Sequence, residues 1–262
     1  MNLKHCTWAV RLLAGLLLPL CAQSAPAPPP ASAIFIGNSF FYYNNGINEH
    51  LLKLVRAAQP DSKFRVTLVA ISGSGADWHD VESYFRPKAL AQYAFDANNT
   101  LVFNDLTRLF DVAVLMDCSQ CPVHPQLKDV FHTSIKKHSA TIRKHGATPV
   151  LFMSWAYQDK PEMTQGLADA YTRAGIENDA VVIPAGLAFA NAITRSPDLS
   201  LYAPDKRHPS LAGTYLAACT AYATLFGTSP VGSSYRAGLD ATSAALLQTV
   251  AWETVQAYGR TV

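Results

Sequence analysis

Short apolar runs alternate with longer stretches of helical spacing from residue 33 onward, the rhythm of a parallel α/β sheet. Ala33-Ile34-Phe35-Ile36 predicts a buried strand that stops at Gly37. Ile47, Leu51, Leu54, Val55 and Ala58 then recur at the spacing of one helix face. Phe64 to Ala70 is rich in branched residues and predicts a second strand, followed by the small-residue loop Ser72-Gly73-Ser74-Gly75. Asp111 to Met116 is the clearest strand signal, and Gln126 to His145 predicts the helix after it. Pro149 to Met153 and Ala180 to Pro184 predict a fourth and a fifth strand, with a helix over Glu162 to Ala174 between them. Helices are expected over Leu187 to Ile193, Ser210 to Leu225 and Thr242 to Tyr258. Between residues 77 and 110 the pattern is poor, and only Pro87 to Tyr93 reads as helical. Five strands separated by helices predict a three-layer α/β/α sandwich around a central five-stranded, mostly parallel sheet.

The first residues stand outside that rhythm. Lys4, His5 and Arg11 precede nine apolar residues, Leu12 to Leu20, and Ala22-Gln23-Ser24 supplies the small residues that a signal peptidase reads. Residues 1–24 are therefore expected to be a signal peptide and residues 25–32 a proline-rich linker, which leaves 33–262 as the folded domain. The apolar run is too short to span a bilayer comfortably. Export to the periplasm or the outside is expected, with no stable membrane insertion once the signal is removed. Bulky Leu20 before Cys21 argues against a lipid anchor.

Composition adds exclusions. Of the 262 residues 49% are hydrophobic and 15% charged, as in a globular domain with a sizeable core. A net charge of +2 gives no argument for nucleic acid as a partner. Oligomeric state is not legible. Removal of the signal leaves Cys118, Cys121 and Cys219. The first two are near enough to form a disulfide in an oxidising compartment. Cys118-x-x-Cys121 also allows a redox pair or, with His124 and His132, half of a zinc site. Pro122 and Pro125 delay the helix that a redox cysteine wants, and no second ligand pair completes a metal site.

Two stretches carry candidate chemistry. Gly37-Asn38-Ser39 puts a hydroxyl just beyond the first strand, at the strand end where open α/β sheets keep their ligand crevice. A serine hydroxyl is a weak nucleophile until a base takes its proton. The polar loop Asp205-Lys206-Arg207-His208-Pro209-Ser210 offers such a base, with a carboxylate three residues before it to orient the imidazole. The plain alternative is a solvated loop in which Ser210 caps the next helix.

Together these segments resemble the SGNH (GDSL-like) hydrolase superfamily, whose fold is flavodoxin-like. Phe35 to Asn45 resembles more closely a branch whose first block reads Gly-Asn-Ser. Gly73 to His79 and Tyr202 to Ser210 match that branch's later blocks, so the resemblance runs from about residue 33 to 226. It implies a serine ester hydrolase with Ser39 as nucleophile, His208 as base and Asp205 as its orienting partner, needing no metal or organic cofactor. It also implies an oxyanion hole from the amides of Ser39 and Gly73, with Gly75 as a rival. The third donor is out of pattern: Gly-x-Asn-Asp is replaced by Asp117 to Pro122, where Ser119 or Gln120 is expected to serve. Asn38, Trp78 and His79 are expected along the substrate pocket, while Trp155, after the fourth strand, reads as partly buried core and not as a site residue. The substrates implied are small-molecule or carbohydrate esters, acetyl esters first. A binding protein that kept the sheet and lost the chemistry is the alternative.

Overall fold

Six buried residues, Ser32–Gly37, form the inner strand β1 of a computed structural model that describes residues 28–90, 93–103, 106 and 108–259. The expected signal peptide lies outside the described residues. β1 begins at Ser32, one residue inside the expected linker. The chain continues through α1 (Ser39–Tyr42), α2 (Ile47–Ala58), β2 (Arg65–Ala70), α3 (Val81–Tyr84), β3 (Tyr93–Phe95), β4 (Leu101–Phe103) and β5 (Val112–Leu115). It ends with α4 (Lys128–Lys144), β6 (Thr148–Phe152), α5 (Met163–Glu177), β7 (Val181–Ile183), α6 (Ala185–Arg195), α7 (Leu211–Phe226) and α8 (Ala241–Tyr258).

The main sheet has five strands in the order β2-β1-β5-β6-β7, and every pairing in it is parallel. Alternation along β1 sends Ala33 and Phe35 to one face and Ile34 and Ile36 to the other. The first face is covered by α2, α6, α7 and α8, through residues such as Leu51, Phe189, Tyr215 and Leu247. The second is covered by α3, α4 and α5, through Val81, Phe131, Ile135 and Tyr171. Each such side chain contributes roughly 1.5–3 kcal/mol by leaving water. α7 is buried almost all round because it lies between the sheet and α2, α6 and α8. The three-layer sandwich is therefore the observed architecture. Strand order reverses direction between β1 and β5, which opens a crevice at their carboxyl ends.

One expected element is corrected. No helix covers the described part of Pro87 to Tyr93. The chain forms α3 earlier, and β3 then pairs antiparallel with β4. Asp96 makes the hairpin turn: its Oδ1 accepts from the amides of Asn98 and Thr100, and Asn99 adopts a φ of 61°. Among the described residues no helix is long and apolar enough to cross a membrane.

Candidate active site

Ser39 is the first residue of α1, directly beyond β1. The turn that presents it is built by Asn38, which is only 4% exposed. Asn38 Oδ1 accepts from the amide of Phe40 at 3.2 Å, and Nδ2 donates to the carbonyls of Ser74 and Asp117 at 3.0 and 3.1 Å. One side chain thus ties together the segments after β1, β2 and β5. An ionised aspartate could not donate to those two carbonyls, which gives the asparagine a physical reason. Asn38 was expected at the pocket wall; its side chain is instead used up inside the protein.

His208 arrives from the opposite side, on the loop before α7. Its Nε2 lies 2.8 Å from Ser39 Oγ, and its Nδ1 lies 2.5 Å from Asp205 Oδ2. With the Nδ1 proton donated to Asp205, Nε2 is left to accept the serine proton. Asp205 Oδ1 accepts from the amides of Arg207 and His208 at 2.9 and 3.0 Å, closing a turn in which Lys206 has a φ of 62°. Partial burial pushes the Asp205 carboxyl up, but the His208 ring and the two amides outweigh it and hold its pKa at about 2. Asp205 is therefore ionised across the working pH range of an ordinary enzyme.

The loop is held from behind. Trp155 Nε1 donates to Arg207 O at 3.0 Å, Tyr202 pairs with Pro209, and the Arg207 guanidinium binds Asp159. Trp155 is fully buried and stacked between Phe40 and Phe189, at 4.8 and 4.2 Å, so it is core and touches no open cleft.

Beyond β2, Gly73 is exposed, has a φ of +71° and has open space where a Cβ would stand. Gly75 is buried, and a Cβ there would meet Asp77 and Asp117 oxygens at 2.5 and 3.0 Å. The loop is clamped from beneath. Asp117 Oδ1 accepts from the amides of Ala76 at 2.6 Å and Cys118 at 2.7 Å. His138 Nε2 contacts Ala76 O at 2.9 Å. His79, 3% exposed, reaches Gly37 O and Ser74 Oγ through Nε2 and Tyr84 OH through Nδ1. It braces the loop and cannot line a pocket, whereas Trp78 is 62% exposed.

Cys118 and Cys121 form a disulfide across the segment after β5, and Cys219 is a free, fully buried thiol on α7. Ser119 Oγ lies 2.6 Å from Tyr157 OH, and the Tyr157 ring carries the Arg207 guanidinium at 4.0 Å. The loop expected to supply the third oxyanion donor is thereby joined to the loop of His208. Gln120 sits half-buried beside Ser119. Among the described residues no group of three or more His, Cys, Asp or Glu side chains could hold a metal ion. A cavity of about 620 Å³ lies among α5, α7, α8 and the β7 edge, and one of about 500 Å³ is lined by Tyr157, Phe189 and Tyr202. Neither is lined by Ser39 or His208.

Asp117 allows a stability prediction. Burial raises its carboxyl pKa to about 6 against the pull of its two amide donors, and Asp77 pushes it further up. The folded state therefore binds the extra proton between about pH 4 and 6, and the penalty for the charge is complete only above that range. Asp117→Asn keeps the Oδ1 acceptor and removes the charge. It should gain on the order of 2 kcal/mol over the wild type at pH 8, a gain that shrinks towards pH 4.5. Urea unfolding of both proteins at the two pH values checks this. Comparing variant with wild type cancels the opposite-signed contribution of His79 and His138, whose pKa values burial lowers.

Sequence reasoning missed the aromatic rings around His208. Tyr43 stacks on it and Phe40 meets it edge-on. The available signal was spacing, since Tyr43 follows Ser39 by four residues on one turn.

No protein-family model matches the chain, and no curated protein matches it. Solved structures do. A DUF4886 family protein from Bacteroides uniformis superposes with a TM-score of 0.64 at 19% identity, covering 86% of this chain and 94% of that one. A candidate SGNH hydrolase from Slackia heliotrinireducens gives 0.53 at 22% identity, covering 74% and 97%. A catalytic mutant of an acetylxylan esterase from Geobacillus stearothermophilus gives 0.55 at 16% identity, covering 80% and 100%. The chain has the fold of the SGNH hydrolases.

Proposed function

We propose that the protein is an exported serine ester hydrolase of the Gly-Asn-Ser type, acting through an acyl-enzyme on short-chain esters, acetyl esters of carbohydrates first among them. One observation carries the reading: the unbroken hydrogen-bonded series Asp205, His208, Ser39. Ser39 Oγ attacks the ester carbonyl as its proton passes to His208 Nε2. Ionised Asp205 stabilises the imidazolium that forms. The amides of Ser39 and Gly73 hold the oxyanion, with a third donor drawn from Ser119 or Gln120. His208 then gives its proton to the leaving alcohol and takes one from the water that releases the acid. None of these steps calls for a metal or an organic cofactor.

Carbohydrate acetate is favoured by the likeness to an acetylxylan esterase and by exposed Trp78 just past the glycine loop, since indole faces suit sugar rings. The Cys118–Cys121 disulfide supports export, because such bonds persist in oxidising compartments. A second reading, a carbohydrate-binding protein without catalysis, is favoured by the missing asparagine after β5 and by the tie between Ser119 and Tyr157. Assays of p-nitrophenyl acetate, butyrate and octanoate beside acetylated xylose oligomers separate the two. The esterase reading expects acetate turnover at least about tenfold above octanoate, with acetate released from the sugar. Sugar binding without release of acetate from any substrate would favour the second reading.

A further inference from the structure

We propose that Tyr43 is a positioning residue that holds the His208 imidazole by its face and stabilises it when it carries the serine proton. The inference rests on the Ser39–His208 reading above. The edges of the imidazole are already engaged, Nδ1 with Asp205 and Nε2 with Ser39. Its flat face lies on Tyr43: the ring centroids are 4.0 Å apart and the planes differ by 10°. Phe40 closes another side edge-on, at 5.3 Å and 68°. With the His208 side chain only 21% exposed, water has little share in solvating the charge that forms during proton transfer.

The arrangement follows from the turn that carries Ser39. α1 runs into a single 3₁₀ turn, Tyr43–Asn45, so Tyr43 returns to the side of Ser39 after four residues. The turn is fixed on both flanks. Tyr42 stacks against Tyr43 at 5.8 Å, and its hydroxyl lies 2.5 Å from Ser72 Oγ beside the glycine loop. Asn44, at a φ of 53°, donates through Nδ2 to Pro209 O and Thr214 Oγ1, both at 2.9 Å. Pro209 follows His208 directly, so the turn that presents the nucleophile also grips the backbone of the base. His50 completes the grip by contacting Asn44 O at 2.7 Å and Tyr235 OH at 2.6 Å.

An aromatic face attracts a cation, and more strongly as water is excluded. The neutral imidazole of the resting state gains far less, so the contact favours the transition state over the ground state. The effect belongs in kcat and not in KM. It depends on the ring face and not on the phenol hydroxyl.

Tyr43→Phe, Tyr43→Leu and Tyr43→Met are to be compared with the wild type on p-nitrophenyl acetate. The His208 Hε1 proton resonance, assigned by its loss in His208→Gln, is read alongside. The proposal expects Tyr43→Phe within about twofold of the wild type, and Tyr43→Leu about tenfold lower in kcat at unchanged KM. Ring current should hold the His208 resonance upfield in the wild type and Tyr43→Phe, and release it in Tyr43→Leu. Wild-type kcat in Tyr43→Leu, an equal loss in Tyr43→Phe, or a change confined to KM would overturn the proposal. Should Tyr43→Leu fail to fold, Tyr43→Met and the wild-type resonance decide, an unshifted wild-type signal being contrary. Full activity of Ser39→Ala would instead remove the underlying reading. An inactive Ser39→Ala beside a fully active Tyr43→Leu overturns the positioning role alone.

Discussion

Ser39→Ala and His208→Ala should each lower kcat/KM for p-nitrophenyl acetate by about 10⁴–10⁶, and the double variant should lose no more than either single one. The non-additivity is the informative part. Ser39 Oγ and Nε2 of His208 are 2.8 Å apart and act in one proton transfer, so removing either ends the same step. Two residues that contributed separately to binding would instead lose activity as a product. Neither substitution should cost much stability. Ser39 is half-buried on a short turn whose cap is made by Asn38, and the His208 loop keeps its backbone bonds from Ala203 and Ser210. Activity within tenfold of the wild type in either variant would contradict the account.

Asp205→Asn should cost about 10³ in kcat with a small change in KM. Asparagine can keep the Oδ1 bonds to the amides of Arg207 and His208, so the loop should retain its shape. The new amide nitrogen, however, would present protons to Nδ1. The imidazole then favours carrying its proton on Nε2, where it cannot accept from Ser39. Asp205 is close to half-exposed, so water can restore part of the correct tautomer, and the loss should stop short of removing His208. Asp205→Glu must reach across a turn built for the shorter side chain and should not recover full activity. A loss in KM alone for Asp205→Asn would point to substrate contact in place of orientation.

The sheet was legible because its strands are short apolar runs bounded by breakers, and the candidate site because its residues lie at strand and helix ends. Gly37 after Ile36 marks the turn to Ser39. Asp205 and His208 share one loop, so three residues of spacing suffice to bring carboxylate and ring together. Their contact with Ser39 spans 169 residues and follows from the fold, not from local pattern. The β3–β4 hairpin escaped because its strands are three residues each, too short for alternation to show, and Asp96 turns the chain with its side chain. In sequence Asn38 adjoins Ser39 and His79 lies just beyond the glycine loop, which suggests the pocket wall for both. Burial decided otherwise, and burial depends on what α3 and β5 bring against them. The roles of Trp155 and Tyr43 were hidden for a related reason: a ring's partner lies across the molecule.

Every step above requires an activated hydroxyl on Ser39. A fluorophosphonate probe incubated with the wild type and with His208→Ala, followed by peptide mass spectrometry, tests it directly. One adduct is expected, on Ser39, formed rapidly in the wild type and at least about 10³-fold more slowly without His208. An unlabelled wild type, or an adduct on another residue with Ser39 unmodified, would contradict it.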